Sequence, residues 1–321
     1  MKRRDFVERS AAFGLLSMLS ACTAHPVAPD AEAHRPNANN SPKPATSADN
    51  QPITNPLTPP AEGTIPVAFV ISEGTVMIDL AGPWEVFNDV MIPSRGSSMD
   101  DQMPFRTYTV AESMKPVSFS GGLKVVPDYT FPNAPAPKVV VIPAQSDSSR
   151  MMLDWIRSAT KTTDVTMSVC TGAFILAKTG LLSGKAATTH HDAYKSFAMK
   201  FPDVSLRRGA RFVEVGNLAS SGGLSSGIDL ALRVVERYFG RKIAAATAHD
   251  MEYQGEGWKD ANSNAMYARA EVSADDHPHC PVCGMSVDRA TAPQSAYKGK
   301  TYYFCSQSHK ADFDAAPEKW Q

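Results

Sequence analysis

The chain has 321 residues, 43% hydrophobic and 20% charged, with a formal net charge of −1. This is enough apolar chain for one ordinary domain plus a smaller one, and the absence of a basic stripe argues against nucleic acid as a partner. Five cysteines, an odd and clustered set, argue for separate chemical tasks rather than a disulfide framework.

Residues 1–21 read as a targeting segment. Lys2-Arg3-Arg4-Asp5-Phe6-Val7 precedes an apolar run, Ala11 to Met18, too short to span a bilayer. The arginine pair resembles a twin-arginine export signal, and Leu19-Ser20-Ala21-Cys22 resembles a bacterial lipobox with Cys22 as the acylated residue. The resemblance implies an exported protein, held by a lipid anchor at the periplasmic face of a bacterial membrane. Residues 22–63 are rich in Pro, Ala, Asn, Ser and Thr, a composition that buries too little surface to offset its ordering entropy and predicts a disordered tether.

From residue 64 the pattern changes. Pro66-Val67-Ala68-Phe69-Val70-Ile71 is a short, nearly continuous apolar run, as in a strand covered on both faces. Similar runs occupy 107–110, 139–142 and 165–169, with helical stretches predicted over 80–90, 151–160, 172–182 and 228–239. A hairpin with a Gly216-Asn217 turn is predicted over 211–220. Strands alternating with helices predict an α/β fold, a doubly wound and mostly parallel sheet, over 64–254. Residues 255–276 read as a linker, and 277–321 as a small second domain rich in cysteine and aromatics.

Cys170 follows the run 165–169 and precedes a helix start, Thr171-Gly172-Ala173. A sharp strand-to-helix turn there would present the thiol at the carboxyl edge of the sheet, near a helix N-terminus that favours thiolate. A buried cysteine acting as a small hydrophobe fits the position equally well.

The segments Ser168-Val169-Cys170-Thr171-Gly172-Ala173-Phe174, Ala177 to Gly184 and Ala187-Thr188-Thr189-His190 resemble the nucleophile region of the ThiJ/PfpI superfamily, the class I glutamine-amidotransferase-like proteins. Ile78-Asp79-Leu80-Ala81-Gly82-Pro83-Trp84-Glu85-Val86-Phe87 and Gly222-Gly223-Leu224-Ser225-Ser226-Gly227 resemble its isonitrile hydratase-like branch, which is also akin to part of certain AraC-type regulators. The resemblance implies a flavodoxin-like sandwich and a hydratase or lyase acting on a small electrophilic substrate, without an organic cofactor. In it Cys170 is the nucleophile, Asp79 handles protons, Thr171 positions the reacting groups and His190 lies beside them. The alternative role for Asp79 is a cap on the following helix. Two departures stand out: His191 where relatives show tryptophan, and Pro143-Ala144-Gln145 where they show Pro-Gly-Gly. Relatives are commonly dimers, so a homodimer is an open expectation. The second class of function left open is a periplasmic metal-handling or oxidative-stress protein, with Cys170 as sensor or ligand.

At the C-terminus, Cys280-Pro281-Val282-Cys283, Tyr302-Tyr303-Phe304-Cys305 and His309 resemble a YHS domain. Ligands at Cys-x-x-Cys and Cys-x-x-x-His spacing suit one tetrahedral metal, and the set Cys280, Cys283, Cys305, His309 suits Zn²⁺, with Cu(I) or another soft ion as the alternative. A Cys280–Cys283 disulfide is the competing reading, and His277 and His279 are either rival ligands or solvated residues.

Overall fold

The computed structural model describes residues 53–146, 148–268, 278–282 and 287–320. The export segment, Cys22, His277 and Cys283 lie outside the described residues. Among the described residues no helix is long and apolar enough to cross a membrane.

The elements of the larger domain are β1 (Ile65–Val70), α1 (Met77–Asp89), β2 (Phe105–Ala111), β3 (Tyr129–Thr130), β4 (Val139–Ile142), α2 (Arg150–Ala159) and β5 (Val165–Ser168). They continue with α3 (Gly172–Lys178), α4 (Tyr194–Lys200), β6 (Phe212–Val215), β7 (Leu218–Ser221), α5 (Ser226–Phe239) and α6 (Arg241–Asp250). A seven-stranded sheet runs in the order β6-β7-β5-β4-β1-β2-β3. Every neighbouring pair is parallel except the β6–β7 hairpin.

Alternation along the central strands divides the core in two. Val67, Phe69, Val139 and Val141 face one side, where they meet Val86 and Phe87 of α1 and Leu230 and Val234 of α5. Ala68, Val70, Val140 and Ile142 face the other, against Met152 and Ile156 of α2, Ile175 and Leu176 of α3 and Phe197 of α4. Both faces are covered, so the strands carry unbroken apolar runs. Strand order reverses on either side of β1 and β4, which opens a crevice at their carboxyl ends, where this architecture places ligands.

The sequence-based helix bounds shift by a few residues. The first helix begins at Met77 rather than residue 80, and α3 stops at Lys178 rather than 182. Neither α6 nor β3 carries a clear sequence signal. The first is mostly polar outside Ile243 and a run of alanines, and the second is two residues on a sheet edge, too short for a period.

The ends of the tether and linker are docked. Leu57 donates its N–H to Arg237 O at 2.8 Å and packs on the core, while Arg237 Nε donates to Asn55 O at 2.8 Å. Residues 255–268 pack on the α/β domain. Trp258 is buried and donates its N–H to Asp229 Oδ1 at 2.9 Å, and Arg211 donates its N–H to Ala261 O at 2.7 Å. Asp229, itself wholly buried, also accepts from Arg211 Nε at 2.6 Å and from the Tyr253 hydroxyl at 3.0 Å. One carboxylate thus organises the whole strap.

The C-terminal module has a hairpin, β8 (Gln294–Tyr297) and β9 (Lys300–Tyr303), followed by α7 (Gln307–Ala315). Lys298 and Gly299 both have positive φ, at 48° and 75°, as a tight two-residue hairpin turn needs. Its small core is Cys280, Val282, Val287, Phe304, Phe313 and Trp320, with Met199 of α4 packed against it.

Candidate active site and metal centre

Cys170 has φ 56°, a left-handed conformation that ordinary residues avoid. This bend is what turns β5 into α3 abruptly. The Cys170 N–H donates to Gly222 O at 2.9 Å and its carbonyl accepts from Thr189 Oγ1 at 3.0 Å, so both backbone groups are held. Gly172 makes the turn possible in a second way. A Cβ there would lie 2.1 Å from Ile142 O, so α3 approaches the end of β4 only because that side chain is absent.

Asp79 lies in the first turn of α1 and is 0% exposed. It does not cap the helix: the N-cap is Val76, and Asp79 Oδ2 instead accepts from Ala144 N–H, beyond β4, at 3.1 Å. Its Oδ1 has no formed hydrogen bond. Burial pushes the carboxyl up to about 7, against the opposing pull of the Ala144 N–H and a looser interaction with the Cys170 thiol.

The thiol itself is not the low-pKa thiolate that a helix N-terminus suggests. Burial, then the neighbouring Asp79 charge, push it up to about 12, against the Leu224 N–H and the N–H and hydroxyl of Thr171. Those three donors face the sulfur, so they favour whatever negative charge develops on it. Both shifts favour a protonated thiol beside a carboxyl that gains its charge only toward neutral pH. The pair is therefore a thiol with an adjacent base, rather than a preformed ion.

The structure brings Asp79 and Thr171 to the sulfur. His190 stands further off, linked to Cys170 through its neighbour Thr189 and through Gly223. Its Nδ1 accepts from Asp192 N–H at 3.3 Å, its ring stacks on His191 with centroids 4.3 Å apart, and it makes no hydrogen bond to Cys170. Burial and then His191 lower its pKa, partly offset by Asp192. Gly223 packs against this ring, where a Cβ would lie 2.3 Å from Cδ2. The sequence reading missed the Leu224 N–H. Its signal was the Gly222-Gly223 pair, which lets a loop pass close to both Cys170 and His190. The Ala144 N–H serves the carboxyl, and the Gln145 amide ties down Val70 O and Pro143 O.

In the C-terminal module Cys280, Cys305 and His309 each offer a ligand atom within 4.8 Å of the others. His309 Nδ1 lies 3.0 Å from Cys305 Sγ and 3.8 Å from Cys280 Sγ. The two sulfurs pull the His309 pKa up to about 9, so this electron-rich cradle favours positive charge. Two soft sulfurs and an imidazole fit a zinc-like ion, and Cys283, the fourth ligand of the sequence reading, lies outside the described residues. These residues would hold such an ion as a structural staple for a core of six buried side chains among the described residues.

A cysteine at a left-handed bend after a central parallel strand, with a buried carboxyl across the switch point, marks a flavodoxin-like α/β protein. The chain belongs to the DJ-1/PfpI family, which it matches over residues 66–237, and residues 279–321 match the YHS domain. It is 31% identical over 192 residues to isonitrile hydratase of Pseudomonas putida, covering 58% of this chain and 78% of that protein. A ThiJ/PfpI family protein from Pseudomonas syringae superposes with a TM-score of 0.53 at 26% identity, covering 67% of this chain and 85% of that one. The HTH-type transcriptional regulator GbdR of Pseudomonas aeruginosa is 25% identical over 193 residues, 59% of this chain and 50% of the regulator, so the family holds non-enzymes too.

Proposed function

We propose that the protein is a cysteine-dependent hydratase of the isonitrile hydratase-like type, acting on a small substrate with an electrophilic carbon. The observation that carries this reading is the wholly buried Asp79 carboxyl, with a free oxygen, beside a thiol on a strained bend. The likeness to isonitrile hydratase supports the substrate class.

The chemistry follows from the resting protonation. As Cys170 sulfur attacks the terminal carbon of R–NC, Asp79 takes the thiol proton and returns it to that carbon, giving a thioimidate, R–N=CH–S–Cys170. Asp79, again a carboxylate, draws a proton from water as the oxygen adds to the same carbon and passes it to nitrogen, leaving R–NH–CH(OH)–S–Cys170 with a hydroxyl proton to return to sulfur. The C–S bond then breaks, sulfur recovers its proton, and R–NH–CHO leaves. The sum is isonitrile plus water giving an N-substituted formamide. Thr171 and the Leu224 N–H stabilise charge on sulfur, and His190 backs Gly223.

The same proposal places the protein outside the cytoplasm, tethered through a lipid on Cys22; the order of the arginine pair, the apolar run and Leu19-Ser20-Ala21-Cys22 supports it. Association into homodimers belongs to the same reading. Conversion of an alkyl isonitrile to its formamide by purified protein, abolished in Cys170→Ser and in Asp79→Asn, is the test. A protein that yields no formamide from any alkyl isonitrile overturns the reading. The second reading is a periplasmic metal-handling or oxidative-stress protein in which Cys170 is a sensor or ligand rather than a catalyst; the Cys280, Cys305 and His309 cluster supports it, and it predicts ready oxidation of Cys170 or tight Cu(I) binding there without turnover.

A further inference from the structure

We propose that His190, His191 and Asp192 form a second transition-metal site beside the loop that holds Cys170, binding a divalent ion of the zinc or cobalt kind through two imidazole nitrogens and a carboxylate oxygen. One ligand atom from each of the three residues lies within 4.8 Å of the other two. His191 Nε2 is 3.2 Å from Asp192 Oδ1, and His190 Nδ1 is 3.7 Å from Asp192 Oδ2. Those two distances run to different oxygens of the carboxylate, and bonds of about 2.0–2.2 Å to zinc place neighbouring ligand atoms roughly 3.0–3.5 Å apart, so a rotation that turns one Asp192 oxygen toward both rings closes the set.

The rings are held for the task. His190 and His191 stack at an interplanar angle of 28°, and the outer face of His191 stacks on Tyr267 with centroids 4.8 Å apart. Gly223 fixes the inner edge of His190. The Asp192 N–H directs a bond at His190 Nδ1, so that nitrogen carries a lone pair, engaged only in a long 3.3 Å contact that a metal would replace. All three side chains are partly open to solvent, which leaves water to complete the coordination. The donors also differ in kind from those of the C-terminal module. Two nitrogens and an oxygen suit borderline ions, whereas the sulfurs of Cys280 and Cys305 suit soft ones. The loop 222–224 touches both His190 and Cys170, so an ion here lies beside that loop without using the sulfur as a ligand. The inference is independent of isonitrile turnover.

Titration of the full, metal-stripped and reduced chain with Co²⁺, followed by absorption, tests it. Two tight equivalents are expected: one with sulfur-to-metal charge-transfer absorption, one without. His191→Trp, which keeps a flat ring against Tyr267, and Asp192→Asn should each weaken the second equivalent by at least about tenfold and leave the charge-transfer band and melting temperature unchanged. A single equivalent, a second one indifferent to both substitutions, or a second one lost in Cys170→Ser overturns the proposal.

Discussion

Asp79 and Cys170 meet across the sheet's switch point, a wholly buried carboxyl beside a buried thiol. The carboxyl of Asp79 is drawn up to about 7 by burial, and the Cys170 thiol up to about 12 by burial and by that same carboxyl. Each residue thus sets the other's reactivity, and replacing one should alter the other in a definite direction. Asp79→Asn removes the negative charge and should let Cys170 ionise at lower pH. The expected outcome is faster alkylation of Cys170 near neutral pH together with loss of hydratase activity, read by mass spectrometry and by formamide formation. Slower alkylation would show that the carboxylate acts chiefly as a base toward sulfur in that reaction as well.

The pH dependence has a fixed sign. A base must be ionised, so kcat/KM for an isonitrile should rise with pH and level off above about 7, the Asp79 value. A profile that stays flat from about pH 5 to about pH 8 would remove Asp79 from the proton path.

The same shift carries a stability cost. The folded-state pKa of Asp79 lies above its unfolded value of 3.8, so the stabilisation from the protonated form is full below that value and is lost as pH rises through about 7. Asp79→Asn should therefore stabilise the protein at pH 8 by on the order of 4 kcal/mol and by almost nothing at pH 3, as measured by denaturant unfolding.

Asp229 holds the 255–268 strap through Arg211, Tyr253 and the Trp258 N–H. Asp229→Ala leaves the Arg211 guanidinium without its carboxylate and should cost about 3–5 kcal/mol. Hydrogen exchange should quicken first in the strap, before the sheet. Uniform exchange across the domain would show that the strap is not a separate unit.

Metal removal should act locally. Chelation, or Cys280→Ser, should unfold the C-terminal module while the α/β domain keeps its own transition, because the six buried side chains among its described residues make too small a core to stand alone. Two-transition calorimetry with and without chelator checks this. An unchanged small-domain transition would favour a disulfide or plain packing as the staple.

Much of the fold is legible in the chain alone. The unbroken runs at 66–71, 139–142 and 165–169 announce strands covered on both sides, and β1, β4 and β5 fall on them. The cysteine after the third run and the clustered C-terminal cysteines mark candidate residues by position and spacing, whereas Asp79 stands out only through the family resemblance. What escaped was backbone: the Leu224 N–H faces the sulfur and has no side chain to announce it, and the Ala144 N–H, marked beside the departure from Pro-Gly-Gly, could not be matched to Asp79. The strap escaped for the opposite reason, because a polar, glycine-bearing stretch reads as a linker until Trp258 and Asn264 are seen buried against Asp229 and Ser226.

Hydrophobic period, punctuation and cysteine spacing determined the architecture, since each strand and helix responds to its own few residues. Protonation was decided only by the tertiary structure. A helix N-terminus beside Cys170 favours thiolate when taken alone, but α3 is one short helix, and desolvation together with the Asp79 charge outweighs it. Those opposing influences come from chain segments far apart in sequence, and their sum exists only once β1, β4 and β5 lie side by side.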